Sequence, residues 1–297
     1  MPWLLFIISA HLLAALVFIA DKHILSREVK APIVYAFYNG ILSIFVLFLI
    51  PLATSGTQIK ILIAALVAGI LFTIAVIFFY LAIEKNPTSR IIPLIGTMVP
   101  IFTFVLSYSL LGEKLTPNQF IAFYLLILGG ILITSERQRH NIFSGKGISW
   151  GILAAFFFAA SFVLTKYVYN NGAFWNGFIW TRIGSIIAAL CIFAIPRFRE
   201  QIKKAPKKVG LKIGAGYLGI RALSAFSFIM LNYAIFLSSV TIVNALQGIQ
   251  YVFLILIALI LAKKLPKLFS QEFKTQRVQK VIAVILITFG LAILAFK

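Results

Sequence analysis

Ten times along the chain, an apolar run of about twenty residues ends in a short stretch rich in Lys, Arg, Gly, Pro or Asn. The runs lie at about 3–24, 33–52, 61–83, 91–112, 117–135, 147–166, 174–195, 211–237, 240–262 and 279–296. A hydrocarbon core about 30 Å thick takes roughly 20 apolar residues of helix. Backbone groups in lipid must be paired internally, so continuous runs of this length predict helices, not the alternating strands of a barrel. The expected fold is an all-α membrane protein of ten transmembrane helices, spans 1 to 10.

Composition agrees with that pattern. Of the 297 residues, 62% are apolar and 11% are charged, with 27 Lys+Arg against 7 Asp+Glu. That is far outside the range of soluble domains and excludes a soluble enzyme. In a soluble chain a net charge of +20 would suggest nucleic acid. Here the charges sit between apolar runs, where they hold loops in place and meet anionic headgroups, so no nucleic-acid partner is expected. Cys191 is the only cysteine, which rules out an intrachain disulfide or a cysteine cluster, and no cofactor or metal is expected. The run Trp3 to Ile24 is too long for a signal-peptide core and lacks a basic start, so it is read as a true span. The expected location is the plasma (cytoplasmic) membrane. A monomer is plausible, and the oligomeric state stays open.

Basic residues near span ends resist translocation. Twenty-one of the 27 lie in odd-numbered connections; four lie on the opposite side, and Arg182 and Arg221 fall inside spans. The charge count therefore predicts both termini outside. In the connection before span 10, Leu265, Leu268, Phe269 and Phe273 recur at helical spacing among Lys267, Lys274 and Arg277, which fits an interfacial helix or a solvated loop. Pro196 to Lys208 has less periodicity and reads as a flexible connector.

The chain also resembles itself. At an offset of 145, Ala14-Ala15 falls on Ala159-Ala160 and Pro51 on Pro196; at 152, Ala82-Ile83 falls on Ala234-Ile235 and Gly96 on Gly248. Gly129-Gly130 in span 5 has its counterpart around Gly290 in span 10. A second copy of five spans enters the membrane from the other side, so the expected organisation is an inverted repeat, residues 1–140 and 141–297, within one integral membrane domain. Transporters place their sites between such repeats.

With this arrangement go Asn86-Pro87-Thr88 to Pro100, then Leu111-Gly112-Glu113-Lys114-Leu115-Thr116 with Gln119, then Gly129-Gly130. Together they resemble the EamA type of the drug/metabolite transporter superfamily over nearly the whole chain. The Gly-Glu-Lys-Leu-Thr turn is the most specific piece; the second half keeps only Lys264-Leu265 there. Arg182 matches an Arg frequent in span 7 of the family, whereas Phe37 occupies the corresponding place in span 2. The resemblance implies a central cavity lined by both halves, alternating access and, contrary to the charge count, termini in the cytoplasm.

Ionisable groups in a span cost about 2.5–3.5 kcal/mol at the helix centre on insertion scales, so each calls for a partner or a wet cavity. Arg182 and Arg221 are the clearest cases, because all seven acids fall at span ends or in loops. A guanidinium facing a cavity can bind carboxylate or phosphate through two parallel hydrogen bonds. The alternatives are backbone carbonyls at a broken helix, or snorkelling. Asn244, Gln247 and Tyr251 share a face of span 9 with Gln250 beside them, which suits a polar solute or plain interhelical hydrogen bonding. Asn232 in span 8, Tyr38 and Asn39 in span 2, and Trp180 in span 7 are further candidates. Phe37-Tyr38-Asn39-Gly40 resembles an aromatic-amide motif of nucleotide-sugar transporters. Small multidrug antiporters of the superfamily use a carboxylate inside span 1; here His11 stands near its centre and can titrate instead, or bond a neighbouring backbone group.

Gly214 to Gly219 satisfies a dinucleotide fingerprint literally, but no strand precedes it, and close helix approach explains it better, as for Gly151, Ala155 and Ala159. Pro93 and Pro100 are expected to bend span 4. The reading is a secondary transporter of a small polar solute, anionic or zwitterionic, that meets membrane lipids. The alternative is a lipid-flipping or non-transporting scaffold. An enzyme is not expected, since no acid or histidine cluster exists.

Overall fold

The computed structural model describes residues 2–24, 32–54, 56–86, 88–134, 145–204, 211–261 and 277–296. Each of the ten apolar runs is helical there, and no strand occurs among the described residues. The helices are α1 (Pro2–Ile24), α2 (Pro32–Ile41), α3 (Ile59–Lys85), α4 (Thr88–Leu111), α5 (Pro117–Thr134), α6 (Gly145–Asn170), α7 (Phe174–Ala194), α8 (Pro196–Lys204), α9 (Leu211–Leu237), α10 (Val240–Ala245), α11 (Gly248–Leu261) and α12 (Arg277–Ala295). A 3₁₀ segment, Leu42–Leu52, completes span 2; α9 is span 8, α10 and α11 form span 9, and α12 is span 10. Nine helices among the described residues are long and apolar enough to cross a membrane, and Pro117–Leu132 is a shorter apolar one.

Two expectations need correction. Pro196 to Lys204 is a helix, not a flexible connector. Proline is tolerated at a first helical position, and Phe198 and Ile202, four residues apart, pack on Val34 and Ile192. That fixes one face and leaves Arg197, Arg199, Lys203 and Lys204 outward. Gly219 meets nothing within 4 Å of an added Cβ, so close helix approach does not explain it. Gly151 does meet Leu94, beside buried Ala155 and Ala159. The amphipathic pattern at 265–277 lies largely outside the described residues.

Two compact units take helices from both halves of the sequence. The first comprises residues 1–28, 114–138 and 208–297; the second comprises 29–113 and 139–207.

In the second unit α3 is central, with α6 and α7 against it, α4 on α6, and span 2 on α7. Glycines permit the closest crossing: a Cβ on Gly69 would strike the Thr181 carbonyl, and one on Gly184 would strike that of Leu66. Hydroxyls then bond backbone across the helices. Ser161 Oγ donates to the Ala68 carbonyl at 2.8 Å and Ser185 Oγ to that of Gly69 at 3.0 Å. With little hydrophobic drive between helices in lipid, such small-residue contacts and interhelical bonds are what hold the bundle.

In the first unit α1 packs on α9 and α11, and α5 on α12. Ser227 Oγ donates to the Ala10 carbonyl at 2.8 Å, and Phe6 meets Tyr233 edge-on at 4.7 Å. Moving down one helix moves up the other, so α1 and α9 are antiparallel. The crossing of α5 and α12 is reciprocal. A Cβ on Gly129 would meet Ala283 and Ile287, and one on Gly290 would meet Ala122 and Leu126. Each glycine thus faces the residues seven and three positions before the other. That is the local signature of an antiparallel two-fold pair.

Candidate functional site

The candidate residues divide between the units. In the second, α7 carries Arg182, which is 9% exposed, with its guanidinium carbon 4.9 Å above the ring of Phe72 on α3 and 5.9 Å from that of Phe178. The cation lies over ring faces, whose negative quadrupole attracts it. Phe72 is set in turn against Phe158 on α6, with ring centroids 5.4 Å apart. Arg182 therefore lies inside the helix bundle and does not snorkel.

Two residues before Arg182 on α7, Trp180 lines a cavity of about 140 Å³ at the end of the unit formed by the connections before α3 and α7. Its wall includes Thr57, Gln58, Ile61, Val168 and Asn176. Asn176 staples this wall. Its Oδ1 accepts from the Thr54 amide at 2.8 Å, and its Nδ2 donates to the Thr54 carbonyl at 2.8 Å and to Thr57 Oγ1 at 3.0 Å. Sequence reasoning missed Asn176, because an amide at the start of a helix reads as a cap. Tyr38 is 43% exposed and Asn39 is exposed as well; the structure does not gather them with Arg182.

The Gly-Glu-Lys-Leu-Thr turn closes α4 and opens α5. Gly112 takes φ +65°, the left-handed conformation that ends a helix without steric cost. The Glu113 amide donates to the Ser107 carbonyl at 3.2 Å. Thr116 and Gln119 then form a capping box: the Thr116 amide donates to Gln119 Oε1 at 2.9 Å, and the Gln119 amide to Thr116 Oγ1 at 3.4 Å. Both carboxylate oxygens of Glu113 are buried, and Lys166 on α6 is its electrostatic partner.

In the first unit His11 is 3% exposed, and Asn232 is buried with its Nδ2 bonded to the Phe228 carbonyl at 2.9 Å. Arg221 on α9 is half-buried. Span 9 is broken in its middle. Ser239 Oγ caps α10 by accepting from the Ile242 amide at 3.1 Å, and the helix stops at Ala245. The amides of Gln247, Ile249 and Gln250 each turn to the carbonyl three residues back, at 3.2, 2.9 and 3.2 Å. Such a mid-helix 3₁₀ turn is a frequent mark of a functional hinge. Asn244 is buried before the break, whereas Gln247, Gln250 and Tyr251 are half-buried at and after it. No group of His, Cys, Asp or Glu among the described residues could hold a metal.

Residues 1–135 match the EamA-like transporter family. No curated protein matches the sequence. A solved crystal structure is similar in fold, with a TM-score of 0.65 at 17% identity, covering 99% of this chain and 96% of that one.

Proposed function

We propose, on the strength of the EamA-like match over residues 1–135, that the chain is a drug/metabolite transporter of this type: a secondary transporter which moves a small anionic or zwitterionic solute by alternating access. Members of the EamA-like family are transporters, not enzymes, and a multi-pass membrane protein follows from the family and the apolar helices. The cytoplasmic membrane and a monomeric carrier complete the proposal.

The observation that carries the solute's charge is Arg182. Keeping a guanidinium buried at the middle of an apolar helix costs free energy that an aliphatic side chain would not. Ring faces offset part of that cost, and a planar fork suits carboxylate or phosphate. Alternating access is supported by how the helices pair. Span 3 packs on span 6 in one unit as span 8 packs on span 1 in the other; span 4 packs on span 6 as span 9 on span 1. Spans 2 and 7, and spans 5 and 10, each pack on their own counterparts. Exchanging the two sequence halves maps these pairings onto one another, which supports the repeat relation that alternating access calls for.

Counterflow in proteoliposomes, with amino acids, organic anions, sugar phosphates and nucleotide sugars as candidates, tests the reading. Arg182→Ala is expected to slow flux by about 10- to 100-fold, the worth of a charge-assisted hydrogen bond, with Arg182→Lys in between. Selective flux of cations, or full flux in Arg182→Ala, would sink it. Lipid scrambling without solute flux would point to the flipping alternative.

A further inference from the structure

Between Pro2 and Ala20, His11 is the only titratable side chain of α1. It belongs to the protein-facing stripe of that helix, with Ile7, Ala10 and Ala15 at 0–1% exposure, whereas Leu5, Leu12 and Leu16 on the far side are 71%, 38% and 41% exposed. Its Nε2 is buried and has no hydrogen-bond partner among the described residues. One residue earlier, the Ala10 carbonyl receives the Ser227 hydroxyl, so His11 sits at the crossing of α1 and α9. A buried polar atom left unsatisfied is costly, and an aliphatic side chain would fill the same stripe without that cost.

The elements packed against α1 are α9 and α11. Their charged and titratable residues are Arg221 and Tyr233 on α9, with Lys212 and Tyr217 nearer its start, and Tyr251 on α11. Neither helix contains an Asp or Glu. A proton on His11 therefore adds positive charge beside two helices whose own fixed charges, Arg221 and Lys212, are both positive, while the one acid of α1, Asp21, lies ten positions along the helix. A carboxylate or phosphate arriving from outside would balance it.

We propose that His11 is the coupling site of the transporter: its Nε2 takes up one proton as an anionic solute enters and releases that proton as the solute leaves on the other side. This rests on the transporter reading above and adds the coupling ion. No other bond forms or breaks; imidazole becomes imidazolium and reverts. By linkage, bound anion raises proton affinity as much as bound proton raises anion affinity, which is symport.

Two measurements test it. In bilayers, ¹⁵N-histidine NMR of the full chain with His23→Asn and His140→Asn isolates the His11 signal; Nε2 is expected to gain a proton between about pH 8 and pH 4. An imidazole that stays neutral across that range overturns the proposal, whatever the variants do. In proteoliposomes, an inward proton gradient is expected to speed uptake of the transported anion at least about fivefold, and that ratio is expected to fall to about one in His11→Asn and His11→Gln. Anion flux that ignores the gradient in the unmodified protein would end the coupling claim and leave the transporter standing. Protonation of His11 with none of the candidate solutes moving would instead count against the transporter reading.

Discussion

The side-chain amide of Asn176 uses both of its ends on the segment before α3, taking the Thr54 amide and giving to the Thr54 carbonyl and the Thr57 hydroxyl. At 7% exposure these bonds are shielded from water, so removing the amide strands backbone groups instead of returning them to solvent. Asn176→Ala is expected to destabilise the protein by about 1–3 kcal/mol, read as an earlier midpoint in thermal unfolding in detergent. Asn176→Asp keeps the acceptor, loses the donors and should fall between. Arg182 and His11 are legible at this scale from sequence, because a charge or an imidazole within an apolar run stands out. Asn176 is not, since its partners lie 119 and 122 positions away in the chain.

Hydropathy finds all ten helical runs for a physical reason: lipid leaves the backbone no other way to pair, so length and apolarity decide the element. Two features escape that logic. The helix α8 has only Phe198 and Ile202 as an apolar face, and they make sense once Val34 and Ile192 are beside them. The break in span 9 falls at Leu246 and Gln247, with no proline to announce it, whereas Pro93 and Pro100 sit within an unbroken α4. The start of α5 was written more plainly, as Thr116 followed three residues later by Gln119. Thr116→Ala is expected to cost about 1 kcal/mol. Adding Gln119→Ala should cost less than a second such amount, because the two side chains serve one box; a double-mutant cycle of unfolding midpoints measures the coupling.

For the whole molecule, the placement of basic residues predicts which side each connection faces. With twenty-one of the 27 in odd-numbered connections, Lys204→Cys on α8 should react only from the cytoplasmic side and Gln58→Cys, ahead of α3, only from outside. Cys191 is exposed and must be replaced first. Impermeant maleimide applied to intact cells reads the result, and labelling of Lys204→Cys from outside would give the orientation that the EamA resemblance implies. The sequence supports the proposed inverted repeat only weakly, because scattered identities among apolar helices match by chance. The reciprocal seating of Gly129 and Gly290 depends on which residues face each other, and no linear comparison contains that.

The division of the units has a consequence for how the protein is made. As the ribosome delivers the chain, the unit that ends at Lys207 has all its helices while much of the other is still unsynthesised. The helix α1, first into the bilayer, finds its neighbours α9 and α11 only after some two hundred residues have followed. The earliest segment to be inserted is thus among the last to be seated, and His11, its one titratable group before Ala20, must wait in the lipid with it.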